Sequence, residues 1–305
     1  MDFKEWYKRK DVLFEIVKQL RGRETSFLNS SIWIRCIKAH KLDFLLANML
    51  RYKFMQNKYN IYRSIAYLNG MPMFSFNPYV KKEQQMFMVK YFKDYVVDYD
   101  LVFDFDTHFE LEAEKDDKMV IVTLKELGID YEVVSKKNKN VYNMNKEDKF
   151  KIVYSEAKEF KDEILDYYKI PYSLKISGSG IHFEIEGKYA NSVEDNPLQK
   201  VKIFNMFAND IKTTFSFYSL DLTIYDLRRI WKVAYSYDIK TGNIALPLTD
   251  EQFNHFSFDM VKPENIKDVR DRGLLVRYAN QDNYLEMQGN VKQMFDEILY
   301  DKEPK

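Results

Sequence analysis

Apolar residues recur at helical spacing in DVLFEIVKQLRG (Asp11–Gly22), and Asp11 stands where an N-cap is wanted. SIWIRCIKAHKLDFLLANMLRYKF reads as one or two further helices, and KKEQQMFMVKYFKDYV as another. Between them NIYRSIAYLNGM (Asn60–Met71) has the pattern of a strand running into a turn at Asn69-Gly70. YDLVFDFDTHF then predicts a strand over Tyr99–Phe105 with acids set inside it. MVIVTLKELGI is helical, and the Lys/Asn-rich SKKNKNVYNMNKEDKFK predicts a solvated loop. SEAKEFKDEILDYYKI is a helix closed by Pro171, followed by a strand pair around SLKISGSGIHFEIEG. NPLQKVKIFNMFANDIKTTF is a helix with Pro197 in its first turn, FYSLDLTIYDLRRIWKVAYSYDIKTGNIALPL mixes strand and loop, and a last helix falls near Asn290–Tyr300. Strands alternate with helices and no repeat is visible, so the fold class is α/β or α+β.

Side chains two apart on a strand leave the same face. In LVFDFD, Asp104 and Asp106 therefore point one way and Phe103 and Phe105 the other. Two carboxylates so placed repel unless a positive charge lies between them, and a divalent cation such as Mg²⁺ answers that need. The plain alternative is that one aspartate ends the strand and caps the next element.

Two further stretches carry candidate chemistry. In ISGSGIHFEIEG, Ser177-Gly178-Ser179-Gly180 would let backbone amides approach a phosphate, with His182 two residues on. An ordinary glycine-rich hairpin turn with a surface histidine explains the same residues. In SLDLTIYDLRRIWKVAYSYDIKTG, Asp221 is again an acid in an apolar strand. Arg228, Arg229, Lys232 and Lys240 follow among Trp231, Tyr235 and Tyr237, a mixture suited to a nucleotide or a strand backbone, or to a solvated amphipathic edge.

Charge and composition narrow the reading. Lys+Arg and Asp+Glu both number 47, which argues against a protein that coats nucleic acid by bulk charge. Residues 1–100 nevertheless hold 18 basic against 10 acidic residues, so a polyanion contact is expected there. The single cysteine, Cys36, excludes an intrachain disulfide and a cysteine-based zinc site. MDFKEWYKRK is charged throughout and no apolar run reaches the roughly 18 residues of a membrane span, so a soluble, cytoplasmic protein without membrane contact is expected. Cys36, His40, His108 and His255 show no ligand spacing and are read as structural.

LVFDFD, ISGSGIH and SLDLTIYD…IWKVAYSYDIKTG, in that order, resemble the archaeo-eukaryotic primase superfamily, whose members include primase small catalytic subunits and primase-polymerases. The resemblance covers roughly Asn60 to Pro263. It implies a primase-type catalytic core of mixed or antiparallel sheets flanked by helices. It also implies a template-directed nucleotidyltransferase that joins NTPs or dNTPs on a single-stranded DNA template and primer, using two Mg²⁺ or Mn²⁺ ions. By the resemblance Asp104, Asp106 and Asp221 match metal-binding carboxylates. Ser177, Ser179 and His182 match the nucleotide-triphosphate motif, Lys232 a phosphate-contacting base, and Arg63, with Lys240, further nucleotide-side positions. Ser179 stands where many relatives have arginine, and Asp238 replaces the usual histidine before Lys240-Thr241-Gly242. The zinc-binding insertion of replicative subunits is absent, which points to a virus-, plasmid- or defence-associated enzyme; a further domain or partner subunit fits the same picture.

The expected organisation is a basic, mostly helical part over 1–98, a catalytic core over 99–265 with an insertion at 110–151, and a helical tail over 266–305. Three other readings stay open. A degenerate primase-like module would bind single strands or a partner without catalysis. An Asp-x-Asp glycosyltransferase and a metal-dependent nuclease are the others.

Overall fold

The structure, a computed structural model, describes residues 1–37, 39–70, 91–113, 118–136, 139–267, 269 and 283–300. The fold is mixed α/β with antiparallel sheets. The first sheet contains β1 (Thr25–Leu28), β2 (Trp33–Ile37), β3 (Asn60–Ser64) and β11 (Ile230–Lys232), in the order β11-β3-β1-β2. The second contains β6 (Leu101–Phe105), β9 (Ser173–Ile176), β10 (Ile181–Ile185) and β12 (Leu246–Pro247), in the order β12-β9-β10-β6. Two short pairs complete the strands: β4 (Ala66–Leu68) with β5 (Val96–Tyr99), and β7 (Glu132–Lys136) with β8 (Lys139–Asn143).

The alternation in β6 has the expected consequence. Phe103 pairs with Phe183 across the β6–β10 ladder. Both pack on Phe160, at ring-centroid distances of 4.5 and 5.2 Å. Phe160 is the last residue of a long helix, Lys146–Phe160, whose Asn145 cap accepts from the Asp148 amide at 2.8 Å. A helix over Pro197–Thr214, with proline at its first turn as predicted, and a last helix over Tyr284–Tyr300 stack Phe207 on Phe295 at 3.9 Å. Near the N-terminus α1 (Phe3–Lys8), α2 (Lys10–Gln19), α3 (Leu42–Arg51) and α4 (Phe54–Asn57) gather an aromatic cluster of Phe3, Tyr7, Phe54 and Phe27. One core joins Phe3 to Phe295.

Several local expectations are corrected. Trp33–Ile37 is a strand where a helix was expected, because β1 supplies an antiparallel ladder partner that local spacing does not show; only Leu42–Arg51 of that stretch makes a long helix. The 1–98 part therefore carries β1 to β4 and most of β5 beside its helices. Asp11 does not cap α2; it lies in the first turn and pairs with Arg9 at 2.7 Å. The Lys/Asn-rich stretch is no open loop: Val133 and Val134 pair with Tyr142 and Val141 in the β7–β8 hairpin. That hairpin and α5 (Lys118–Glu126) share a small cluster of Leu111, Val120, Leu124, Ile129, Tyr142, Met144 and Ile152. The helix expected over KKEQQMFMVKYFKDYV lies outside the described residues up to position 90, as does most of 268–282 in the tail.

Candidate active site

The register of the second sheet decides which side chains meet. In β10, His182 lies opposite Asp104 of β6 on one side and Lys175 of β9 on the other. Cross-strand partners share a face, so Asp104, His182 and Lys175 form one row, opposite the phenylalanines. The first sheet reaches this row through Trp231, whose ring lies 3.9 Å from the His182 ring and 4.7 Å from Lys175 Nζ.

His182 Nε2 sits 2.6 Å from Ser177 Oγ and 3.2 Å from Asp104 Oδ1. Directed at the hydroxyl, the ring leaves Asp104 Oδ1 and its own Nδ1 buried without a hydrogen-bond partner among the described residues. Burial lowers the His182 pKa, with the Asp104 charge opposing, so the imidazole is neutral at pH 7.

The other two acids are brought alongside by the backbone. The Asp106 amide donates to the Ser219 carbonyl at 3.0 Å and the Asp221 amide to the Asp104 carbonyl at 2.8 Å. These bonds flank an isolated bridge between Phe105 and Leu220. Asp221 is thus not inside a strand, as expected, but just past a single bridge. Its carboxylate accepts from the Thr223 amide (2.8 Å) and hydroxyl (3.0 Å) and caps a short 3₁₀ turn, because the chain turns away after Leu220. Asp106 accepts from the Thr107 hydroxyl at 3.2 Å and lies 3.0 Å from His108 Nδ1. His108, read as structural, is exposed at the rim of the acidic pair. Asp104, with its orphaned oxygen, fits a cation. Yet among the described residues no three His, Cys, Asp or Glu side chains form a group that could hold a metal.

The Ser177–Gly180 turn closes through the Ser177 amide and the Gly180 carbonyl at 2.9 Å. Gly178 has φ +107, and a Cβ on it would stand 2.6 Å from Asp238 Oδ2. A Cβ on Gly180 would stand 2.9 Å from the Phe105 carbonyl. Packing against these neighbours thus requires both glycines; Ser179 between them is partly exposed.

Lys232 Nζ donates to the Ser177 carbonyl at 3.2 Å and pairs with the Asp238 carboxylate. Asp238 Oδ1 also accepts the amides of Lys240 (2.8 Å) and Thr241 (3.2 Å). Burial alone would raise its pKa; Lys232 and the amides outweigh burial and hold it below the ordinary value. The Lys-Thr-Gly loop is thus folded around Asp238, and the Lys240 side chain stays exposed. Arg63, opposite Trp231, is buried, paired with Glu184 and 3.5 Å from Asp100.

No family model matches the chain, and no curated protein matches it. Among solved structures the chain is similar to the polymerase domain of Mycobacterium tuberculosis Ligase D in complex with DNA. Identity is 13%, the TM-score is 0.43, and 86% of each chain is covered. A likeness of that degree carries no argument about activity, and the functional reading rests on the geometry.

The structure adds two residues that sequence reasoning did not single out. Lys175 is buried in the row, and its signal was available as a lysine inside the apolar strand SLKI. Glu156, on the long helix, accepts the Tyr218 amide (2.9 Å) and the Ser219 amide (2.8 Å) and hydroxyl (2.6 Å), fixing the segment that ends at Asp221. A glutamate among other helix charges gives no such signal. Among the described residues no helix is long and apolar enough to cross a membrane.

Proposed function

We propose that this chain is a template-directed nucleotidyltransferase, a primase or primase-polymerase that joins nucleoside triphosphates on single-stranded DNA. One observation carries the reading: segments far apart in sequence meet at one corner. His182 faces Asp104 across the β6–β10 ladder, and Asp221 is hydrogen-bonded to the Asp104 carbonyl. Lys232 reaches the Ser177 carbonyl beside them.

Asp104, Asp106 and Asp221 are the residues that would hold Mg²⁺ or Mn²⁺, with Asp221 giving up its contacts to Thr223. Such ions, when bound, make an attacking hydroxyl more acidic and neutralise charge on the leaving pyrophosphate. Neutral His182 offers one ring N–H to an acceptor and keeps no charge that would compete with a cation at Asp104. Ser177, Ser179 and Lys232 would hold the triphosphate, with exposed Lys240 able to add a contact; Arg63, buried against Glu184 and Asp100, would act on it only through charge. The basic first third would carry the template strand, so binding to it weakens as salt rises.

The test offers single-stranded DNA, four nucleotides and Mg²⁺ or Mn²⁺, with and without an annealed primer, to wild type and Asp106→Ala. Synthesis by the wild type and none by the variant is expected. Synthesis by both would remove the acids from the mechanism, and none by either would remove the enzyme. A second reading has its own support: Asp221 is turned to Thr223 and Lys232 is already paired, as in a module that binds strands without catalysis. Strand binding without synthesis, unchanged in Asp106→Ala, would select it.

A further inference from the structure

Four buried cations surround the contact between the two sheets: Arg23, Arg63, Lys175 and Lys232. Arg23 pairs with Asp100, Arg63 with Glu184, and Lys232 with Asp238. Lys175 makes no hydrogen bond or ion pair among the described residues. Its residue is 8% exposed, and its ammonium lies over the face of Trp231, 4.7 Å away, with the Glu184 and Asp104 carboxylates acting on it without an ion pair. Burying an ammonium without a directly paired carboxylate is unfavourable, and a methionine would fill the same space without that penalty. The lysine therefore answers a need that packing does not set.

Position says what the need is. Lys175 neighbours His182 across the ladder and lies two residues before the Ser177–Gly180 turn. The groups nearby that would otherwise receive an anion are taken. The Asp238 carboxylate occupies the Lys232 ammonium and the amides of Lys240 and Thr241, an arrangement that would equally suit a phosphate. Asp238 acts as an internal anion there.

We propose that Lys175 is the cation this site keeps free for a phosphate oxygen of an incoming nucleoside triphosphate. The inference rests on the nucleotidyltransferase reading and names the residue that replaces the occupied Lys232. It also accounts for a turn with Ser179 where the resemblance leads one to expect arginine. Burial draws the Lys175 amine down to about 7; Arg63 and Lys232 add to the effect, and Glu184 and Asp104 oppose it. A phosphate at Nζ would supply the direct ion-pair partner that Glu184 and Asp104 do not.

The test is calorimetric binding of inorganic tripolyphosphate and of an α,β-methylene nucleoside triphosphate, both with Ca²⁺, so no turnover is needed. Lys175→Met is expected to weaken both about tenfold or more, and Lys175→Arg to recover most of the loss. The Met variant should melt no lower than wild type, which separates lost charge from lost fold. Binding by Lys175→Met equal to wild type would overturn the proposal and leave the nucleotidyltransferase reading standing. A folded wild type that binds neither compound would overturn both. In the wild-type protein, the Lys175 ε-methylene resonance should move on adding tripolyphosphate. A resonance that stays fixed at saturation would overturn the proposal whatever the stability of the variants.

Discussion

Strand β6 has an acid at each end of one face, and the protein treats the two in opposite ways. Asp100, immediately before the strand, is fully buried. It accepts the Gly187 amide at 2.9 Å, pairs with Arg23 and lies 3.5 Å from Arg63. Asp104, four residues on, is nearly as buried but keeps one oxygen unpartnered, beside a neutral histidine and an unpaired lysine. The first end is a closed network that joins the sheets. The second is short of partners on both its negative and its positive side. Burial of charge alone therefore does not mark a site; incomplete compensation does.

The contrast can be broken by substitution. Asp104→Asn should abolish synthesis, a loss of about a thousandfold or more, while the melting temperature holds or rises because no partner is stranded. A large fall in stability would mean that Asp104 belongs to the closed end. Asp100→Ala should do the reverse and destabilise by about 3–5 kcal/mol, since buried Arg23 loses its carboxylate and buried Arg63 keeps only Glu184; denaturant titration measures it. A near-neutral result would show that the network is dispensable.

Lys175 sharpens the same point through pH. Its pKa falls from the ordinary 10.5 to about 7 in the folded chain, so between these values the unfolded chain binds more protons. Stability should therefore rise with pH above about 7, by at most about 1.4 kcal/mol per unit. Lys175→Met should lack that rise and be the more stable form at pH 7. Identical slopes in the two proteins would show that Lys175 has its charge compensated after all. The smallest effect is at Gly178, where Ala must adopt φ +107 beside Asp238 and should destabilise by about 1–2 kcal/mol. An unaffected variant would mean that the turn can relax away from Asp238.

The contrast also shows what could be read in the sequence and what could not. Period-two alternation placed Phe103 and Phe105 correctly in the core, and the strand pair around Gly178 and Gly180 formed as predicted. The order of the motifs pointed to the residues that gather at Asp104. In VVDYDLVFDFD, however, Asp98, Asp100, Asp104 and Asp106 look alike. What separates them is Lys200, Arg23 and Arg63, an empty contact, and Thr107 with His108, all supplied by the folded chain, and most of them from distant segments. Lys175 escaped for the same reason: a lysine in a strand is ordinary until its lack of a partner is seen. Trp33–Ile37 was misassigned because a short apolar run fits helix and strand equally until a neighbouring strand claims it. Asp221 was placed in a strand because nothing local shows a ladder stopping after one bridge.

The hairpin and short helix between Phe109 and Lys146 rest largely on their own apolar cluster, and the long helix after them is anchored independently through Phe160. Lengthening a connection whose ends are already fixed raises its closure entropy only logarithmically. For a diverging lineage, this is the stretch where residues can be gained, lost or exchanged while the two sheets stay as they are. It leaves the core three residues after Asp106, so variation there would alter what reaches the acids and spare the acids themselves.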